Sequence, residues 1–372
     1  NLMLEMIKQR LKSDFRIKVP SKILGILRKN KMVVADVGAA GGTEDHWAPL
    51  HDCVRFVTFE PDHRTQDTVE QGDSENIVFG KALGKDKGQK KIYLANFSDA
   101  SSLYPLNQEA LKDFANEEGH RVVGSDSVDV DTLDNCLSAY PDLHLDFLKV
   151  DVEGSDLDVL IGAKEVLSKD VMGLKVEVSF LERYVGAPLF GEVDKYLKSL
   201  DFDLFSLNTQ SWLRKNRLYS ISSNPQVIWG DAVYFLKKDV FIERLSEKTT
   251  DLAEAYLSKF ISLLLLYRLH DYALEILDDE MVVKNVKPEL ILALKASLKK
   301  SMGNGFYLIL KALFFALIGF VGFFVFLPIK KLRNKMIFFI KKRVSLLGYY
   351  IFKAGAKSGP YNSCVSDVQL FL

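Results

Sequence analysis

At 372 residues, 48% hydrophobic and 11% aromatic, the chain is too apolar to be disordered and long enough for one α/β domain plus a second module. Its formal net charge of zero argues against a nucleic-acid partner. Three widely spaced cysteines, Cys53, Cys136 and Cys364, supply neither a disulfide framework nor a zinc spacing, which points to a reducing compartment.

The neutral total conceals an asymmetry. Between Glu289 and Asp367 there is no acidic residue but there are thirteen Lys and Arg, whereas the first 289 residues carry 36 basic and 48 acidic side chains. This division predicts an acidic catalytic body and a basic tail with a partner of its own.

Residues 1–30 read as a basic amphipathic helical lead-in, and Lys and Arg interrupt its apolar runs too often for a secretory leader. MVVADV at 32–37 is a short apolar run closed by glycines, the pattern of a buried parallel strand. A second run at 54–59 closes on Glu60 and Pro61, and a third at 77–79 closes on Gly80. Residues 91–94 and 126–130 alternate polar and apolar and predict hairpin or edge strands, with a helix over 107–116 between them. Apolar runs resume at 145–150 and 173–178, and the last strands are expected at 202–207 and 231–236. Strands interleaved with helices predict a doubly wound α/β sheet over residues 31–238. Residues 239–300 read as a helical segment, with a dense apolar run at 261–266 and a break at Pro288. Residues 301–372 form the basic, apolar tail.

The loop DVGAAGG at 36–42 follows the first strand, where open α/β sheets bind their ligands. A dinucleotide turn needs G-x-G-x-x-G; here Gly38 and Gly42 flank Ala40, which suits a cofactor without a pyrophosphate. Asp36 can serve the sulfonium and amino end of S-adenosylmethionine. Glu60, 22 residues after Gly38, can accept both ribose hydroxyls. The alternatives are a plain tight turn and a solvated strand-end acid.

FLKVDVEG at 147–154 is the most specific stretch. Period two places Lys149, Asp151 and Glu153 on one face, and burying them unpaired would be costly, so they are expected to face the cleft. The alternative is a structural ion pair between Lys149 and a neighbouring acid. Gly154 turns the chain, Ser155 to Asp158 reads as a capping box, and Leu157, Leu160 and Ile161 as the buried stripe of the next helix.

The motifs D-V-G-A-x-x-G (36–42), F-E-P (59–61), S-S-L (101–103), V-D-V-D-T-L-D (128–134), L-K-V-D-V-E-G (148–154) and V-L-x-G-A (159–163) together resemble the FkbM family of methyltransferases. The resemblance covers roughly residues 30 to 240. It implies a Rossmann-like class I methyltransferase fold with a C-terminal helical extension, S-adenosylmethionine as donor, and O-methylation of a sugar or polyketide hydroxyl. The expected cofactor-binding set is Asp36, Gly38, Ala39, Ala40, Gly42, Glu60, Pro61, Ser102 and Asp151. One departure stands out: the family has Asn where this chain has Ala40.

Methyl transfer to oxygen is an in-line displacement that needs an aligned nucleophile and a base or a metal. Asp151, with Glu153 beside it, is the expected catalytic pair. Glu177 completes an acidic set of a kind that can hold Mg²⁺. His46 reads as a surface histidine, and Ser101 and Ser102 as cofactor or substrate contacts or an ordinary turn.

Residues 306–327 carry one charge, Lys311, and are long enough to span a bilayer. The positive-inside rule would then place the catalytic body away from its cofactor. A peripheral or re-entrant membrane contact through residues 306–353 on the cytoplasmic side is therefore expected. A buried helical hairpin or an oligomer interface is the alternative. The readings carried forward are a membrane-associated methyltransferase acting on a glycan or lipid-linked saccharide, a non-catalytic adaptor with the same fold, and an NAD-dependent oxidoreductase.

Overall fold

The computed structural model describes residues 19–40, 42, 44–62, 75–114, 121–215 and 224–301. The lead-in over residues 1–18 and the membrane contact expected of residues 306–353 lie outside them. Among the described residues, no helix is long and apolar enough to cross a membrane.

The chain enters through α1 (Ser21–Lys29), which buries Ile23 and Leu27 one turn apart. The strands β1 (Met32–Val37) and β2 (Val54–Phe59) follow, joined through the 3₁₀ segment Asp45–Cys53. Next come β3 (Ile77–Phe79), β4 (Ala82–Leu83), β5 (Gly88–Ala95), α2 (Gln108–Leu111), β6 (Val122–Asp131) and α3 (Leu133–Ser138). β7 (Phe147–Val150), α4 (Asp156–Ile161), α5 (Lys164–Lys169), β8 (Gly173–Ser179) and α6 (Phe190–Ser199) alternate, and β9 (Phe202–Trp212) and β10 (Gln226–Leu236) close the sheet. Five helices end the described chain: α7 (Lys238–Ser246), α8 (Thr250–Leu266), α9 (His270–Leu277), α10 (Glu280–Asn285) and α11 (Pro288–Ser301).

The main sheet has the order β3-β2-β1-β7-β8-β10-β9. β10 runs antiparallel to both its neighbours, and the strands from β3 to β8 run parallel. This is a doubly wound α/β sheet, with its switch point between β1 and β7. All six residues of β1 are buried, which is why its sequence is apolar but for Asp36, the acid paired with Lys149.

Residues 91–94 and 126–130 do pair, but not as a tight hairpin. β5 and β6 lie antiparallel in a separate three-stranded sheet of order β4-β6-β5. The helix expected over 107–116 shortens to α2, capped by the Asn107 side chain, which accepts the Ala110 N–H. Pro288 begins α11 as well as breaking the chain before it, since a first-turn position needs no N–H donor.

In-register partners share a sheet face. Asp36, Lys149 and Lys175 therefore form one row across β1, β7 and β8, and Asp231 and Glu177 pair one step further on. Below this charged row the same face is apolar, and helices from beyond residue 238 cover it. Phe260 of α8 stacks on Phe241 at 4.0 Å and meets Phe235 at 6.0 Å. Tyr267 stacks on Phe147 at 5.3 Å, and Lys259 Nζ reaches the buried Asp146 at 2.7 Å. The run at 261–266 shows in the sequence that α8 is buried; the structure shows that it is buried in the same apolar core as the sheet.

Candidate active site at the switch point

The loop after β1 is locked to the loop after β7. Gly38 N donates to Phe59 O at 3.0 Å, and Asp151 N donates to Val37 O at 3.0 Å. Gly38 has φ +82°, and a Cβ there would lie 1.8 Å from the Asp151 carbonyl oxygen. Only glycine permits both the conformation and the approach. The turn closes with Gly42 N donating to Ala39 O at 3.0 Å.

Around this junction lies a cavity of about 430 Å³, within the range of cofactor sites. Glu60, Pro61 and Asp62 from the end of β2 line it, together with Lys81 and Leu83. Gly38, Ala40, Gly42, Glu44, Lys149 and Asp151 line it as well. Glu60 is 5% exposed. Its Oε1 accepts the Asp62 N–H at 2.8 Å, which fixes the carboxylate at the strand end.

Not every expected residue reaches this wall. Gly38, Ala40, Gly42, Glu60, Pro61 and Asp151 line the cavity; Asp36, Ala39, Ser102 and Glu153 lie behind it. Asp36 is buried, with Oδ1 3.0 Å from Lys149 Nζ. Burial raises the Asp36 pKa, and Lys149 opposes the rise. Lys149 also donates to Gly38 O at 2.8 Å and stands 3.6 Å from Asp151 Oδ2. Burial works against its charge, but Asp36 and then Asp151 overcome that, and its pKa is raised. Lys149 thus forms the structural ion pair held open as an alternative, and it also faces the cavity.

Glu153 departs from the period-two expectation for a backbone reason. β7 ends at Val150, and Glu153 takes a left-handed conformation with φ 54°. In that conformation its carboxylate stays near Asp151 but is taken up in a buried network. Glu153 Oε2 accepts from Arg183 Nη1 at 2.9 Å and from the Tyr184 hydroxyl at 2.8 Å. The other guanidinium nitrogen binds Glu177. Burial raises the Glu177 pKa well above the usual carboxylate range, with Arg183 opposing. Ser102 Oγ donates to Glu153 O at 2.5 Å, so Ser102 ties its loop to the strand-end turn, while Ser101 lines the cavity.

This network also bears on the metal. Carboxylate oxygens of Asp151, Glu153 and Glu177 lie within 4.8 Å of one another. Arg183 already holds two of the three, and its guanidinium supplies the countercharge a cation would bring. The donor set does not fit Mg²⁺.

Three smaller expectations change as well. Ser155 does not cap α4 with its side chain; its Oγ donates to Val152 O at 3.2 Å. The Asp156 carboxylate instead accepts the N–H groups of Val152 at 3.1 Å and Gly154 at 3.0 Å. In the buried stripe of α4, Val159 takes the place expected of Ile161, which is 38% exposed. His46 is half-buried, with its ring 5.2 Å from Trp47 and 5.4 Å from Tyr267.

Asp156 carries a pH prediction. Burial, with Asp151 next in effect, pushes its carboxyl from the ordinary 3.8 up to about 7. Between those values the folded protein holds a proton that the unfolded chain has lost, so stability falls as pH rises through that window. Urea titrations at pH 5 and pH 7 should show wild-type stability lower at pH 7 by about 2 kcal/mol from this group. Asp156→Asn should flatten that difference, and an unchanged slope would assign it to another group.

Arg183, Tyr184, Glu44, Lys175 and Asp156 did not stand out in the sequence. The one local signal for Arg183 is its position six residues after Glu177, beyond the end of an apolar strand.

Residues 36–204 match the family model of the methyltransferase FkbM domain. Among curated proteins, a 2-O-methyltransferase, NoeI, of Sinorhizobium fredii is 24% identical over 211 residues, covering 52% of this chain and 86% of that protein. Among solved structures, methyltransferase FkbM from Methylobacillus flagellatus aligns at 18% identity and a TM-score of 0.30, over 55% of this chain and 44% of that one. TrmK of M. capricolum, solved with S-adenosyl-homocysteine, aligns at 11% identity and a TM-score of 0.23, over 76% and 99%.

Proposed function

From the methyltransferase FkbM domain at residues 36–204, we propose that this chain uses S-adenosylmethionine to methylate a sugar hydroxyl on a glycan or lipid-linked saccharide. The observation that carries the cofactor is Glu60. A buried carboxylate, fixed by a backbone N–H at the end of β2 and open to the cavity, suits a ribose diol. Gly38 leaves the backbone open beside it, and Leu83 and Ile92 offer apolar surface for a base. The similarity to NoeI, a 2-O-methyltransferase, supports oxygen as the acceptor atom.

When bound, S-adenosylmethionine supplies a sulfonium methyl group whose transfer leaves a neutral thioether, so no acid is needed for the leaving group. Asp151 receives the proton that the acceptor hydroxyl loses as its oxygen bonds to the methyl carbon. Its carboxylate lines the cavity, and Lys149 at 3.6 Å limits its freedom. Glu153, Glu177 and Arg183 act one layer behind, holding the turn that aims Asp151.

Calorimetric titration with S-adenosylmethionine tests the reading. Removing two charge-assisted hydrogen bonds costs about 3 kcal/mol, so Glu60→Ala should bind about 100-fold more weakly than wild type. A folded wild-type protein that binds no S-adenosylmethionine would sink the proposal in favour of the non-catalytic reading. The acceptor, and the membrane contact proposed for residues 306–353, are read together. Labelled methyl transfer is measured to saccharides free in solution and carried on anionic vesicles; transfer only to free saccharides would remove the membrane from the proposal.

A further inference from the structure

We infer that Glu44 receives the α-amino group of the cofactor's methionyl arm and makes the far end of the cavity selective for an amino-acid-bearing nucleoside. The inference rests on the S-adenosylmethionine reading above and adds a residue that neither the glycine loop nor the strand-end acids pointed to.

Position comes first. Glu44 and Glu60 both line the cavity. Glu60 stands at the end of β2, whereas the Glu44 carboxylate is held at β8, with Oε1 2.5 Å from Lys175 Nζ. In the sheet order, β1 and β7 intervene. Neighbouring strands lie about 4.8 Å apart, so the two holding points are separated by roughly 14 Å. A ligand with its ribose on Glu60 must cross the glycine loop to reach Glu44, and in an adenosyl amino acid the part that extends that way is the methionyl arm. Ala40, on the path, offers no polar side-chain group of its own.

Charge comes second. The row beneath this end sets the carboxylates of Asp36, Glu44 and Asp231 against the ammonium groups of Lys149 and Lys175. Asp151 adds a further negative charge on the cavity wall. Lys175 is shared between Glu44 and Asp231, the latter at 3.3 Å. Four carboxylates thus face two ammonium groups, and an ammonium group entering here reduces that excess of negative charge.

Support comes third. His46 Nδ1 lies 3.3 Å from Glu44 Oε2. Its ring is wedged between Trp47 and Tyr267, the residue that caps α8. Burial lowers the His46 pKa, which favours the neutral ring, so His46 orients Glu44 without adding a competing positive charge. Burial of Glu44 itself works against its charge, but the bond from Lys175 outweighs it and holds the pKa below the ordinary value. The helical extension thus supports the cavity end that would select the amino acid.

The test compares two probes on Glu44→Gln, Glu60→Gln and wild type. S-adenosylhomocysteine carries the amino acid; 5′-methylthioadenosine keeps the nucleoside and lacks it. Loss of one charge-assisted bond predicts that Glu44→Gln weakens S-adenosylhomocysteine by about tenfold or more and leaves 5′-methylthioadenosine within about twofold of wild type. Glu60→Gln should weaken both. Unchanged S-adenosylhomocysteine affinity in Glu44→Gln would overturn the inference while leaving the adenosyl reading intact. An equal loss for both probes would also overturn it, by showing that Glu44 merely shapes the cavity. Failure of wild type to bind either probe would remove the adenosyl reading and this inference with it.

Discussion

Arg183→Met is expected to lower the stability of the protein by about 3–5 kcal/mol, measured as a drop in the urea midpoint at constant slope. Arg183 has a side chain only 1% exposed, and it bridges two carboxylates that are themselves largely withdrawn from water, Glu153 and Glu177. Methionine fills similar space but leaves two buried acids facing each other without a cation. The guanidinium also lies over the rings of Tyr184 and Trp229, at 5.4 and 5.7 Å, so its removal loses contact as well as charge. Arg183→Lys should recover only part of the loss, because an ammonium cannot fork to two carboxylates in fixed geometry. The triple variant Arg183→Met, Glu153→Gln, Glu177→Gln should recover more, since it removes the uncompensated charges together. If Arg183→Met were as stable as wild type, the network would not be what holds the turn after β7.

Gly38→Ala should abolish measurable S-adenosylmethionine binding and destabilise the fold at the same time. The added Cβ would sit 1.8 Å from the Asp151 carbonyl oxygen, a backbone atom that no side-chain rotation can clear. The φ of +82° adds a left-handed penalty of about 1–2 kcal/mol. To fit the methyl group, the loops after β1 and β7 must part, and the bonds that join them break: Lys149 Nζ to Gly38 O, and Asp151 N to Val37 O. The cavity end that these loops form would open with them. Gly191→Ala is the control. It lies in the first turn of α6 with nothing within 4 Å of its added Cβ, so it should be neutral or stabilising by up to about 1 kcal/mol. Equal loss in both variants would show that the effect at Gly38 is a general response to alanine.

Local chemistry makes much of the molecule legible in its sequence. The parallel strands at 32–37, 54–59 and 147–150 show as short, mostly apolar runs, because a strand covered on both faces displays little polar side. Gly38 and Glu60 stand out because a close backbone approach and a strand-end acid are properties of one or two residues at fixed places. What the sequence could not display is direction and partnership. Glu153 reads as a companion of Asp151, yet one left-handed residue turns it onto Arg183, thirty residues on. Glu44 and Lys175 are 131 residues apart and meet only because the sheet order sets β8 two strands from β1. The apolar run at 261–266 announces burial, but only the tertiary structure shows that α8 covers the sheet beneath the cavity. By itself the sequence determined the fold class, the glycine loop and the acid at the end of β2, because each depends on short-range pattern. The tertiary structure decided which carboxylates face the cavity and which are neutralised behind it, because burial and pairing of charge depend on neighbours that the chain brings together only when folded.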